Sequence, residues 1–182
     1  MSLMDNKNSV MAYHCTRVQR MSVMIARLMG LSDDVIDRVA LAAYLHDIGK
    51  LGISDTVLTK TQPLTGEELL QLRQKPAIGR RLLTTSEETK PVADIVYACC
   101  ERWDGGGYPE GLSGEDIPLE ARIIAAAAFI DVALQGGYHM GALPAEDCIS
   151  ALRENSGSRF DPVVVSAALS NFGDIVKSEM AG

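Results

Sequence analysis

The chain has 182 residues, 47% hydrophobic and 23% charged, a balance that fits one globular domain spanning 1–182 and excludes a largely disordered polymer. A formal net charge of -7 argues against a nucleic-acid binder, which needs clustered Lys and Arg, but leaves room for a small anion in a locally positive pocket. No apolar run is long enough to cross a bilayer (Ile123 to Ile130 is stopped by Asp131), and no basic segment leads into an apolar stretch at the start.

Residues 9–29 carry apolar positions at helical spacing (Met11, Val18, Met21, Ile25, Leu28) and stop at Gly30. Ser32 is the expected cap of a second helix running to about Lys50, with Asp33 and Asp34 in its first turn and Gly49 and Gly52 loosening its end. After a loop at Thr61, Gln62 and Pro63, the pattern Thr65-Gly-Glu-Glu68 predicts a capping box and a third helix. Pro76 and Pro91 mark two further helix starts, the second reaching Cys99. Residues 104–118 read as loop. Helices are then expected at about 119–135, 144–155 and 161–177, the last capped by Asp161 with Pro162 at its first position. Alternating strand patterns are absent, so the predicted class is all-α.

Aromatic residues make up 5% of the chain and there are 8 methionines, so the core is aliphatic with Met filling gaps between helices. The four cysteines include the adjacent pair Cys99 and Cys100. That arrangement is poor for a disulfide-stapled secreted domain and suits a reducing cytoplasm.

Three elements carry chemistry. His46-Asp47 places imidazole and carboxylate side by side at a helix end, where both can turn to one metal ion. Lys50 stands one turn on, within reach of a phosphate oxygen, and His14 sits on the apolar face of the first helix. Taken singly, each is better explained as an ordinary polar helix end, a solvated lysine and a core histidine. The third element is Glu101-Arg-Trp-Asp-Gly-Gly-Gly-Tyr-Pro109, whose three glycines free the backbone before Pro109 sets the exit direction. A tight turn pinned by a buried Trp103 accounts for part of it.

The series His14 with Arg17-Val18, Leu45-His-Asp-Ile-Gly-Lys-Leu-Gly52, Leu64-Thr65 with Glu67-Glu68, Glu101 to Glu115, Arg122-Ile-Ile-Ala125 and Arg159-Phe-Asp-Pro162 resembles, in order and over nearly the whole chain, the motifs of the HD-GYP family of bacterial signal-transduction proteins. The resemblance implies a bundle of about seven helices and, in working members, a two- or three-metal centre that hydrolyses cyclic di-GMP. His14, His46 and Asp47 match the family's metal ligands. Other ligand positions are replaced, by Lys75, Cys99, Cys100 and Ala128, and the family's phosphate-contacting bases fall near Gly137 and Met140.

The resemblance therefore implies at most one divalent ion (Mn, Fe or Zn), weakly bound or absent, on His14, His46 and Asp47. Cys99 and Cys100 could add soft ligands for zinc or iron, though two small residues filling space is the simpler account. Asp131, one turn beyond Ala128, could stand in for the missing carboxylate, but the family has an aspartate there in any case. Two functions stay open. One is a degenerate signalling domain with little or no catalysis, acting through a partner such as a diguanylate cyclase-type domain at Gly107, Tyr108 and Pro109, with cyclic di-GMP binding itself in doubt. The other is an active phosphodiesterase on the reduced site, with Asp47 and Lys50 as its catalytic groups. On either reading the chain can be a segment of a longer signalling protein.

Overall fold

The computed structural model describes the backbone of residues 3–136 and 141–177, with side chains from residue 11 onward. The described residues are helical, without a strand, and the one isolated bridge pairs Ser156 with Phe160. Seven helices reach seven residues or more, in line with the expected bundle of about seven. The positions near Gly137 and Met140 lie outside the described residues.

Helix α1 (Leu3–Leu28) and helix α2 (Asp33–Leu45) form an antiparallel pair. Val18, Met21 and Ile25 of α1 and Val39, Ala42 and Ala43 of α2 are buried between them and the core. Ser32 occupies the cap position of α2, but its side chain makes no capping bond. The second helix ends five residues earlier than its pattern predicts. Leu45 closes the α-helix, and Ile48–Gly52 form a 3₁₀ turn. A tertiary contact supplies the reason: a Cβ on Gly49 would lie 2.0 Å from the Lys75 carbonyl oxygen. Gly49 thus seats the turn against a later helix, a role beyond loosening a helix end.

The short helix α3 (Asp55–Leu58) follows, then α4 (Gly66–Leu72). The capping box forms as read: Thr65 Oγ1 accepts from the Glu68 amide at 3.3 Å, and Glu68 Oε2 accepts from the Thr65 amide at 2.7 Å. Helix α5 (Lys75–Leu83) has Pro76 in its first turn and packs on the 3₁₀ turn. Pro91 opens a 3₁₀ turn, Lys90–Val92, that leads into α6 (Ala93–Ala98).

Helix α7 (Leu119–Gln135) is the central element. Ala121, Ile123, Ile124, Ala126, Ala127, Ile130 and Ala133 are all buried, as expected of a helix apolar on most faces. It packs on both α1 and α2 and carries Asp131 into the core. Helix α8 (Ala145–Glu154) precedes α9 (Pro162–Ser170), which Asp161 caps by accepting from the Val163 amide at 2.7 Å. The single helix expected over 161–177 is broken at Asn171, whose φ of -142° leaves the helical region. The break turns α10 (Phe172–Lys177) onto α1 and buries Phe172 and Ile175.

Candidate metal centre

The centre lies where α1, the end of α2, the start of α5 and the end of α7 converge. His14 comes from α1, one turn before buried Val18, and His46 and Asp47 come from the switch between α2 and the 3₁₀ turn. Their ligand atoms lie within 4.8 Å of one another, the one such group of three or more metal-ligating side chains among the described residues. His14 Nε2 is 3.6 Å from Asp47 Oδ2, and His46 Nε2 is 3.6 Å from Asp47 Oδ1. The structure thus brings together the three residues that the sequence singles out.

The outer ring nitrogens settle how these imidazoles face. His46 Nδ1 donates to the Ala43 carbonyl at 2.7 Å, and His14 Nδ1 donates to Asp131 Oδ2 at 2.5 Å. Each ring therefore turns its Nε2 lone pair inward, and the two Nε2 atoms stand 3.3 Å apart. Two lone pairs at that distance repel unless a proton or a metal ion lies between them. Burial lowers the His46 pKa to about 4, against the opposing pull of Asp47, so His46 is a neutral ligand near pH 7. On this donor chemistry the residues fit one divalent ion, held by two imidazole nitrogens and a carboxylate.

Asp131 does not serve as a replacement ligand. It is buried, accepts from His14, and is gripped by Arg17 through Nε at 2.5 Å and Nη2 at 3.0 Å. Burial would raise its pKa, but the bonds from His14 and Arg17 hold it below the usual carboxylate range. It orients His14 from behind, a role that its place in the sequence did not disclose.

Asp47 is the most constrained group. It is buried, and both of its oxygens carry an ammonium: Lys75 Nζ on Oδ1 at 2.8 Å and Lys50 Nζ on Oδ2. Burial works to raise its pKa, yet Lys75, the histidines and Lys50 hold it well below the ordinary value. Burial works to lower the Lys75 pKa, and Asp47 holds it well above the ordinary value. Lys50 thus faces the carboxylate beside it, where the sequence reading had it available to a phosphate.

Cys99, Cys100 and Ala128, which the resemblance implies are replaced ligand positions, add no ligand to this group. Cys99 caps α6, gives its thiol to the Ile95 carbonyl at 3.3 Å, and has its pKa pushed up by burial. Cys100 lies against the Tyr108 phenol, whose pKa burial and that contact push up to about 12. Neither cysteine joins the histidines within ligand distance, so the mixed sulfur–nitrogen site is not formed. Ala128 is half-buried against the core, one turn before Asp131.

The Gly107-Tyr108-Pro109 loop is built by close approach. A Cβ on Gly107 would lie 2.4 Å from the Arg102 amide nitrogen and 2.5 Å from the Glu101 Cα. Glu101 Oε1 accepts from the amides of Glu110 and Gly111 at 2.7 and 3.2 Å and closes the loop on itself. Trp103 is half-buried, not buried as expected, with the Arg122 guanidinium 5.6 Å from its ring centroid. Arg73 stacks over Tyr108 at 5.6 Å, so the loop meets the chain between α4 and α5.

A family model described as "HD domain" matches residues 1–164. Among curated proteins, the chain is similar to the cyclic di-GMP phosphodiesterase response regulator RpfG of Xanthomonas campestris pv. campestris, 38% identical over 155 residues, covering 84% of this chain and 41% of that protein. It is also similar to a cyclic di-GMP phosphodiesterase of Thermotoga maritima, 38% identical over 160 residues, covering 86% of this chain and 43% of that protein. The chain thus spans under half the length of these relatives. A solved structure of a cyclic GMP-AMP specific phosphodiesterase from Vibrio cholerae shares the fold at a TM-score of 0.69 and 20% identity, covering 92% of this chain and 48% of that one. The Bdellovibrio bacteriovorus protein Bd1817 matches at 0.71 and 20%, covering 92% and 52%. With the helical fold, the paired His46-Asp47 and a family match over most of its length, the chain belongs to the HD domain family.

Proposed function

We propose that this chain is a degenerate HD-GYP-type signalling domain, related to cyclic di-GMP phosphodiesterases, that has little or no catalysis and acts by binding a partner or a nucleotide. The observation that carries the reading is the state of Asp47, both of whose oxygens are bonded by lysine ammonium groups. A two-metal centre works by clamping both oxygens of an in-line displacement and by raising the acidity of a bridging water. A second ion on Asp47 would stand against Lys75, a mostly buried cation already bonded to the same carboxylate. A single ion on His14, His46 and Asp47 would supply Lewis acidity toward one phosphoryl oxygen. Around it, Asp131 holds the His14 ring in place, the Ala43 carbonyl holds His46, and Lys50 offers an ammonium at the more exposed side.

Partner binding through Gly107, Tyr108 and Pro109 is the companion proposal, with a diguanylate cyclase-type domain or another signalling protein as partner. The loop keeps its close-packed glycine and its stacked tyrosine, and neither depends on a metal. A second reading, an active phosphodiesterase on the reduced site, is favoured by the two facing Nε2 lone pairs, which suit an ion.

One experiment separates the readings. The chain is reconstituted with manganese or iron and incubated with cyclic di-GMP, and both turnover and binding are measured. Little turnover is expected. Clear metal-dependent hydrolysis that Asp47→Ala abolishes would establish the second reading. Pull-down of candidate cyclase domains, with Tyr108→Ala as control, tests the partner surface.

A further inference from the structure

We infer that divalent-ion binding at His14, His46 and Asp47 is coupled to oxyanion binding by Lys75 and Lys50, so that each ligand strengthens the other. The inference deepens the one-ion reading above and rests on it. It follows from where the two ammonium groups can go when Asp47 is asked to ligate.

An ion on Asp47 would share the carboxylate with two ammonium groups, and its like charge would weaken the hold of Asp47 on each of them. The two lysines are not equivalent. The Lys50 side chain is 31% exposed and can rotate its ammonium into water. The Lys75 side chain is 14% exposed, and Asp47 Oδ1 is its one hydrogen-bond acceptor among the described residues. An ammonium has three donors, and one left buried without an acceptor is costly.

Charge points the same way. Asp47, Lys50 and Lys75 together carry +1, while Asp131 and Arg17 cancel one another. With neutral histidines as ligands, a divalent ion raises the cluster to +3 in a partly buried site. A phosphate or sulfate group supplies acceptor oxygens for Lys75 and negative charge for the ion in one ligand. Because such coupling is reciprocal, the ion must raise oxyanion affinity by the same factor.

The test is a titration of the purified chain with Mn²⁺, following free Mn²⁺ by electron paramagnetic resonance. It is run with no oxyanion, with sulfate, and with dimethyl phosphate, the last two separating a free oxyanion from a phosphodiester. In the parent, Mn²⁺ affinity is expected to tighten at least tenfold with one or both. Lys75→Met is expected to bind Mn²⁺ without an oxyanion and to lose the dependence. Lys75→Gln, which keeps a hydrogen bond but no charge, is the second variant should the methionine perturb folding.

Equal Mn²⁺ affinity in all three conditions overturns the coupling. So does an unchanged dependence in both variants, or no Mn²⁺ binding under any condition. Turnover of cyclic di-GMP by the parent would refute the weak-catalysis reading and leave the coupling standing, because the readout is ion binding alone.

Discussion

Gly49→Ala reaches both the packing and the candidate site. The added Cβ would sit 2.0 Å from the Lys75 carbonyl oxygen and 2.9 Å from the Gly79 amide nitrogen. An ordinary carbon–oxygen approach is about 3.3 Å, so the 3₁₀ turn and α5 must separate by about 1 Å. Both colliding partners are backbone, so no side chain can rotate away. Overpacking of this kind costs about 1–3 kcal/mol, here toward the upper end, and the better helix propensity of Ala offsets less than about 1 kcal/mol. A net loss of about 2–3 kcal/mol lowers Tm by roughly 5–10 °C for a domain of this length. Thermal unfolding followed by circular dichroism measures it. Gly66→Ala, where nothing lies within 4 Å of the added carbon, is the control and should move Tm by under about 1 °C. A Gly49→Ala variant that melts within 2 °C of the parent would refute the close-packing argument. The same separation draws Lys75 from Asp47, so the variant should also bind Mn²⁺ differently from the parent.

Asp161→Ala removes the cap of α9 and the acceptor of Arg122 Nη1 at 2.6 Å. The lost cap and the stranded, mostly buried guanidinium together should cost about 3 kcal/mol in urea unfolding, while Asp161→Asn should recover part of it. The metal-free chain should lose stability in acid through His46. Its folded pKa of about 4 lies below the ordinary 6.5, so between those values the unfolded chain binds more protons. Stability is therefore full above about pH 6.5 and falls on the order of 3 kcal/mol by about pH 4. Asp47, held below its ordinary pKa, adds a further loss below about pH 4, in the same direction. A flat stability profile from pH 7 to 4, measured after chelation, would contradict the buried neutral imidazole. Finally, burial pushes the Cys15 and Cys148 thiols up to about 11 and Cys99 higher still, so in the native state all three should react with a disulfide reagent far more slowly than after unfolding.

Local signals in the sequence proved reliable where short-range chemistry decides the outcome. The Thr65 to Glu68 capping box, the Asp161 cap with Pro162, the bounds of α7 and the end of the first helix before Gly30 all rest on interactions within a few residues, and all four formed as read. The helix ends set by distant partners did not. Helix α2 gives way to a 3₁₀ turn because Gly49 must fit beneath Lys75, and the last predicted helix breaks at Asn171 because Phe172 and Ile175 are drawn into the core.

The candidate site divides in the same way. Residue types and spacing, with the family resemblance, were enough to pick out His14, His46 and Asp47, because the ordered motifs give weight to a histidine and a His-Asp pair that are ordinary taken singly. They also marked Lys75, Cys99, Cys100 and Ala128 as substitutions. What surrounds the site was decided by contacts across 28 residues for Lys75 with Asp47 and 117 for His14 with Asp131. The sequence by itself therefore determined the all-helical class and the three possible ligands. Only the tertiary structure decided that Lys75 bonds Asp47, that Asp131 orients His14, and that the cysteines stay apart from the histidines. An ammonium and a carboxylate act through what lies within about 3 Å of them, and for Lys75 and Asp131 that neighbour belongs to another element of the fold.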